Sequence, residues 1–146
     1  MRVVLDTNVL VRAHDRSSAQ ARNLLEELLK HGHQLVLSNE ILAEVTKVLR
    51  CPRLQALYSL AEAEVLEYAQ FLQSVAHIVI LDPQFRAPLR DPTDLIVLQT
   101  AEQGEADTLC THDSDFYDQK ILSYCAARGI EVCHESTLLE KLAQGW

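Results

Sequence analysis

No apolar run in the sequence approaches the ~18 residues that a membrane-spanning helix needs. The first such run, Val3-Val4-Leu5, stops at Asp6 and is too short for a signal peptide. A chain with no membrane segment, working in the cytoplasm, is the expectation. Cysteine occurs four times (Cys51, Cys110, Cys125, Cys133) but never as C-x-x-C, and always in an apolar or helical context. Buried free thiols are therefore expected in place of disulfides or a zinc site. Basic residues are scarce: 13 Lys plus Arg stand against 21 Asp plus Glu, for a formal net charge of −8. Such a surface does not bind polyanions by charge alone, so a nucleic-acid substrate would require something to offset the acids. Walker A, G-x-G-x-x-G, G-x-S-x-G and H-E-x-x-H patterns are missing, which lowers nucleotide-binding, serine-hydrolase and zinc-hydrolase readings. Repeats, low-complexity tracts and linkers are missing as well, and with 48% hydrophobic residues the chain 1–146 is expected to form one domain around one core.

What is present is an alternation of strand and helix signals. Val3-Val4-Leu5 suits a strand buried on both faces. Ser17 or Ser18 as N-cap, the stripe Leu24, Leu25, Leu28, Leu29 and the stop Gly32 predict a helix. "QLVLS" predicts a second strand, and "NEILAEVTKVLR" a helix ending before Pro52. One short and one longer helix are expected over residues 53–75, then a strand in "HIVIL" and a polar turn with Pro83 and Pro88. "DPTDLIVLQTAEQG" predicts a helix, "DTLCT" a strand, "DQKILSYCAARG" a helix, "IEVCH" a strand, and a last helix starts near Ser136. Strands alternating with helices imply an α/β fold: a mostly parallel sheet of about five strands in a three-layer α/β/α arrangement, with sites beyond the carboxyl ends of the strands.

Acids fall at that edge. Asp6 follows the first strand, Asp91 and Asp94 open the helix after the third, and Asp113 and Asp115 follow the fourth in "THDSDF". Glu44 lies on the flank of the stripe Ile41, Leu42, Val45, Val48, Leu49, whereas Glu40 and Lys47 turn farther toward solvent. Asp94 heads the row Val97, Leu98, Ala101 that should face the sheet, and Asp91 before Pro92 is suited to N-cap the same helix. Singly, each acid has a plainer explanation: an Asx turn for Asp6, a solvated helix face for Glu44, the helix dipole for Asp94, a loop and N-cap for Asp113 and Asp115. Together they are better explained by a bound cation, because crowded carboxylates raise one another's pKa. Oxygen-only ligands favour Mg²⁺ or Mn²⁺, and such ions support phosphodiester hydrolysis without a protein nucleophile. The histidines show no metal-ligand spacing and are read as surface or core residues, with His112 closest to the acids. Arg50, Arg53, Arg86 and Arg90 are read first as solvated charge, and a substrate phosphate would be met by a few arginines such as Arg12, Arg50 and Arg90.

The stretches "VVLDTNVL", "LSNEILAEVTKVL", "DPTDLIVLQTA" and "THDSDF", in this order and spanning nearly the whole chain, resemble the PIN (PilT N-terminal) domain family, in particular its prokaryotic branch of toxins from toxin–antitoxin pairs. The resemblance implies a Rossmann-like fold and a Mg²⁺- or Mn²⁺-dependent endoribonuclease, usually a homodimer and often neutralised by an antitoxin protein. Carried over position by position, Asp6, Glu44, Asp94, Asp113 and Asp115 would be the catalytic metal ligands. Thr7, Asn8, Asp91 and Thr111 would support them, Thr7 and Asn8 as the "DTN" that orients the first acid or its water. Two other readings compete. A haloacid-dehalogenase-type phosphatase also has an acid after its first strand, but it needs D-x-D and a later lysine, and Asn8 stands where the second acid would be. A PIN-like scaffold that binds RNA or protein without catalysis would normally have lost acids that are all present here.

Overall fold

The computed structural model describes residues 1–14 and 19–145. Strand β1 (Arg2–Leu5) has Val3, Val4 and Leu5 sealed from solvent, as a strand covered on both faces requires. Helix α1 (Thr7–His14) follows at once, then α2 (Ala19–Lys30), β2 (Gln34–Ser38) and α3 (Asn39–Leu49). Next come α4 (Pro52–Tyr58), α5 (Glu62–Val75), β3 (His77–Val79) and α6 (Pro92–Gln103). The chain closes with β4 (Thr108–Cys110), a 3₁₀ turn at Ser114–Tyr117, α7 (Gln119–Ala126), β5 (Glu131–Cys133) and α8 (Glu135–Ala143). All strands are parallel in the order β3-β2-β1-β4-β5, flanked by the helices, so the expected three-layer α/β fold with five strands is the observed one. β1 sits at the centre, where the strand order turns from β2 on one side to β4 on the other, and this reversal point is where such sheets open a crevice.

Local signals explain most elements. Gly32 stops α2 in a left-handed conformation (φ 75°), and the His33 N–H closes the helix end on the Leu28 carbonyl at 3.1 Å. Asp91 caps α6, its Oδ1 accepting from the Thr93 N–H at 2.8 Å and the Asp94 N–H at 3.2 Å, with Pro92 in the first turn. Ser38 ends β2 and caps α3, accepting from the Ile41 N–H at 3.3 Å, while the Thr100 hydroxyl donates to it at 2.9 Å and ties α6 to the sheet. The candidate N-caps Ser17 and Ser18 lie outside the described residues.

Three features differ from the sequence expectations. Residues 7–14 form a helix that periodicity did not reveal, because buried Val9, Leu10, Val11 and Ala13 crowd a short stretch whose outer side is marked only by exposed Asn8 and half-buried Arg12 and His14. "HIVIL" pairs only as far as Val79, whose partner Ser38 is the last residue of β2; Ile80 lies beyond the ladder and is 82% exposed. Cys110, Cys125 and Cys133 are buried free thiols, but Cys51 is exposed at the start of α4, a helix that buries no residue. Among the described residues no helix is long and apolar enough to cross a membrane.

Candidate active site

The carboxyl ends of β1 and β4 position the site. The Asp6 N–H continues the ladder to the Cys110 carbonyl at 2.9 Å, which holds the Asp6 side chain at the strand end, 5% exposed. Its Oδ1 accepts from the Thr7 N–H and its Oδ2 from the Thr111 hydroxyl, each at 2.7 Å. Burial raises the Asp6 pKa most, and the nearby Asp113 charge adds to this, opposed by the two hydrogen bonds and by Arg12. Thr111 does double duty, since its hydroxyl also accepts from the Asp113 N–H at 3.0 Å. One buried side chain thus sets the β1 acid against the loop after β4.

Asp113 starts the 3₁₀ turn, its Oδ1 accepting from the Asp115 N–H at 2.9 Å. Asp94, in the first turn of α6, is 7% exposed and, as expected, heads a buried row of Val97, Leu98 and Ala101. Asp94, Asp113 and Asp115 offer carboxylate oxygens that all lie within 4.8 Å of one another. The Asp94 pKa is pushed up to about 7, first by burial and then by the Asp113 charge, a hydrogen bond with Asp113, and the charges of Asp91 and Asp6. Arg90, Asp91, Tyr117 and Asp118 line the same cleft.

This arrangement suits a hard divalent cation: the donors are all oxygen, and their mutual repulsion is what a bound positive charge would relieve. A further sign is Thr7, whose buried Oγ1 has no hydrogen-bond partner, immediately beside Asp6. Glu44 is half-buried on the flank of α3, with Ile41 and Val45 sealed beside it and Glu40 and Lys47 exposed, but it is not in the group within 4.8 Å. Asn8 is exposed, and Arg50 is taken up in an ion pair with Glu62 at 2.7 Å.

Sequence reasoning passed over Glu135. This carboxylate, 2% exposed at the start of α8, accepts from the Arg12 guanidinium and has His112 Nε2 3.2 Å away. The signal was available, because Glu135 is one more acid just past a strand, in "VCHES".

The PIN domain family model matches residues 2–115, a span that contains Asp6, Glu44, Asp91, Asp94, Asp113 and Asp115. No curated protein matches the chain. Among solved structures, a chain of VapBC2 from Rickettsia felis, crystallised bound to a DNA fragment from their promoter, superimposes with a TM-score of 0.63 at 17% identity, over 92% of this chain and 98% of that one. At that identity the likeness concerns the fold. By the family match, which covers most of its length, the chain belongs to the PIN domain family, whose members are usually nucleases.

Proposed function

We propose that this protein is a Mg²⁺- or Mn²⁺-dependent endoribonuclease, the toxin of a toxin–antitoxin pair, and that it works in the cytoplasm. The observation that carries the proposal is the set of carboxylates from α6 and the loop after β4, packed within 4.8 Å at the reversal point of the sheet, with buried Asp6 joined to Asp113 through Thr111. Asp94, Asp113 and Asp115 would hold the ion, with Asp6 and Glu44 completing the acidic wall. Bound there, a divalent ion lowers the pKa of a coordinated water and neutralises charge on a phosphate oxygen. The chain's own groups prepare that chemistry. Thr111 fixes Asp6 and Asp113 in one arrangement, Asp91 secures the helix turn that presents Asp94, and burial shields Asp6 and Asp94 from solvent. The VapBC2 complex supports a protein partner for this chain also, an antitoxin, and a homodimer is the proposed assembly.

The test is incubation of the purified protein with a long single-stranded RNA in Mg²⁺, Mn²⁺ or EDTA, beside Asp6→Asn. Fragments that need metal and vanish in a folded Asp6→Asn variant support the reading. RNA left intact by the wild type in both metals would overturn it and favour a scaffold acting through partners.

A further inference from the structure

Beside the acidic cleft lies a group of rings that the proposed chemistry does not use. His112 Nδ1 and His134 Nδ1 are 3.0 Å apart, whereas the ring centroids are 5.0 Å apart and the planes differ by 22°. Nitrogens so much closer than the centroids describe two imidazoles joined edge to edge and nearly coplanar. Tyr117 lies against His134, centroids 4.6 Å apart and planes 14° from parallel, and so backs the pair. The plate is fixed at both ends. His112 Nε2 reaches buried Glu135, which also binds Arg12, and the Tyr117 hydroxyl donates to the Thr111 carbonyl at 2.8 Å. The two Nδ1 atoms serve as donor and acceptor to each other, in roles set by the tautomers of the two rings. Yet the plate faces water: His134 is exposed, and the His112 side chain is 40% exposed.

We propose that the His112–His134 plate, backed by Tyr117, is a stacking platform for one unpaired nucleobase of the RNA substrate, next to the phosphate handled in the acidic cleft. The inference rests on the nuclease reading above for the identity of the strand. Three features point to it. Tyr117 belongs both to the plate and to the cleft that holds Asp94 and Asp115, so the two surfaces are continuous. Arg12, paired with the same Glu135 that His112 approaches and close enough to Asp6 to act on its charge, sets a cation near both plate and acids, available to a phosphate. A chain with a net charge of −8 also draws no affinity for a polyanion from its overall charge, and base stacking is a source of affinity that carries no charge and tolerates any sequence. The rings are planar, rigid and held by hydrogen bonds before any ligand arrives, so little ordering accompanies binding.

The experiment uses the full chain and a short single-stranded RNA carrying a fluorescent base analogue, in Ca²⁺ to support binding without cleavage. Affinity and base fluorescence are read for wild type, His134→Ala and His134→Phe. The His134 side chain makes no capping bond to α8, so neither substitution removes a helix cap. Stacking predicts about ten-fold weaker binding for His134→Ala with loss of base quenching, and recovery in His134→Phe, which restores a ring but not the imidazole bond. An abasic position in the RNA should reproduce the wild-type loss and add nothing further to His134→Ala. Equal affinity and quenching in wild type and His134→Ala would overturn the platform while leaving the nuclease reading in place. Ring-dependent binding without metal-dependent cleavage would sustain the platform and sink the nuclease. A wild type that neither binds nor cleaves RNA would remove both.

Discussion

Replacing Asp94 by Asn should stabilise the metal-free protein at pH 8 and flatten its pH dependence. Folding buries Asp94 and raises its pKa from 3.8 to about 7, so the native state holds this proton more tightly than the unfolded chain does. The stability contributed by the protonated group is complete below about pH 4 and is lost as the pH rises through about 7. A shift of about three units corresponds to about 4 kcal/mol at 1.36 kcal/mol per unit. Coulomb's law gives a similar size: two charges 4.8 Å apart, the outer limit for these oxygens, repel by about 3 kcal/mol at an effective dielectric of about 20. Asp115 is exposed and Asp113 half-exposed, so solvent screening reduces the realised gain to about 2 kcal/mol. Asparagine keeps a donor for Asp113, as protonated Asp94 does, but cannot ionise. Thermal melts in EDTA should therefore place Asp94→Asn about 4–8 °C above wild type at pH 8 and close to it at pH 4. Saturating Mg²⁺ should raise the wild type and leave the variant unmoved. A variant less stable than wild type at pH 8, or one with the same pH profile, would mean that ionised Asp94 does not destabilise the fold.

Other consequences follow from single residues. At Gly104 an added Cβ would meet Val36 Cγ1 at 2.6 Å, the Thr100 carbonyl at 2.7 Å and Val79 Cγ2 at 2.9 Å; Gly104→Ala should lower stability by about 2 kcal/mol in urea melts. Thr111→Val removes the donor to Asp6 and the acceptor for the Asp113 N–H, and should cost about 2 kcal/mol with a marked loss of any metal-dependent cleavage; unchanged metal affinity would count against its role in fixing the acids. A thiol reagent should modify Cys51 rapidly and Cys110, Cys125 and Cys133 only on unfolding, since the last three are buried.

The sheet was legible because its strands are short, apolar and punctuated: "VVL", "QLVLS" and "DTLCT" have no other use for such runs. α1 was illegible for a related reason, since eight residues with only Asn8, Arg12 and His14 on the outer side show little of a 3.6-residue pattern, and the valines resemble strand. Asp94 could be placed because helical geometry ties it to Val97, Leu98 and Ala101, and Asp91 because Asp-Pro at a helix start has one economical explanation. What brings Asp6 to Asp113 is the parallel pairing of β1 with β4, a contact across 105 residues made through Thr111, which local spacing cannot encode. The histidine plate and Glu135 depend in the same way on β5 lying beside β4. Glu44 shows the reverse case: its half-buried place on the helix flank was readable, and its distance from the acid group was not.

If these carboxylates hold a divalent ion, titrating Mn²⁺ into the wild type in a calorimeter, without RNA, should give a saturable heat that is lost in a folded Asp113→Asn protein. A wild type with no saturable heat, or with the same isotherm as Asp113→Asn, would mean that the cleft binds no ion through these acids.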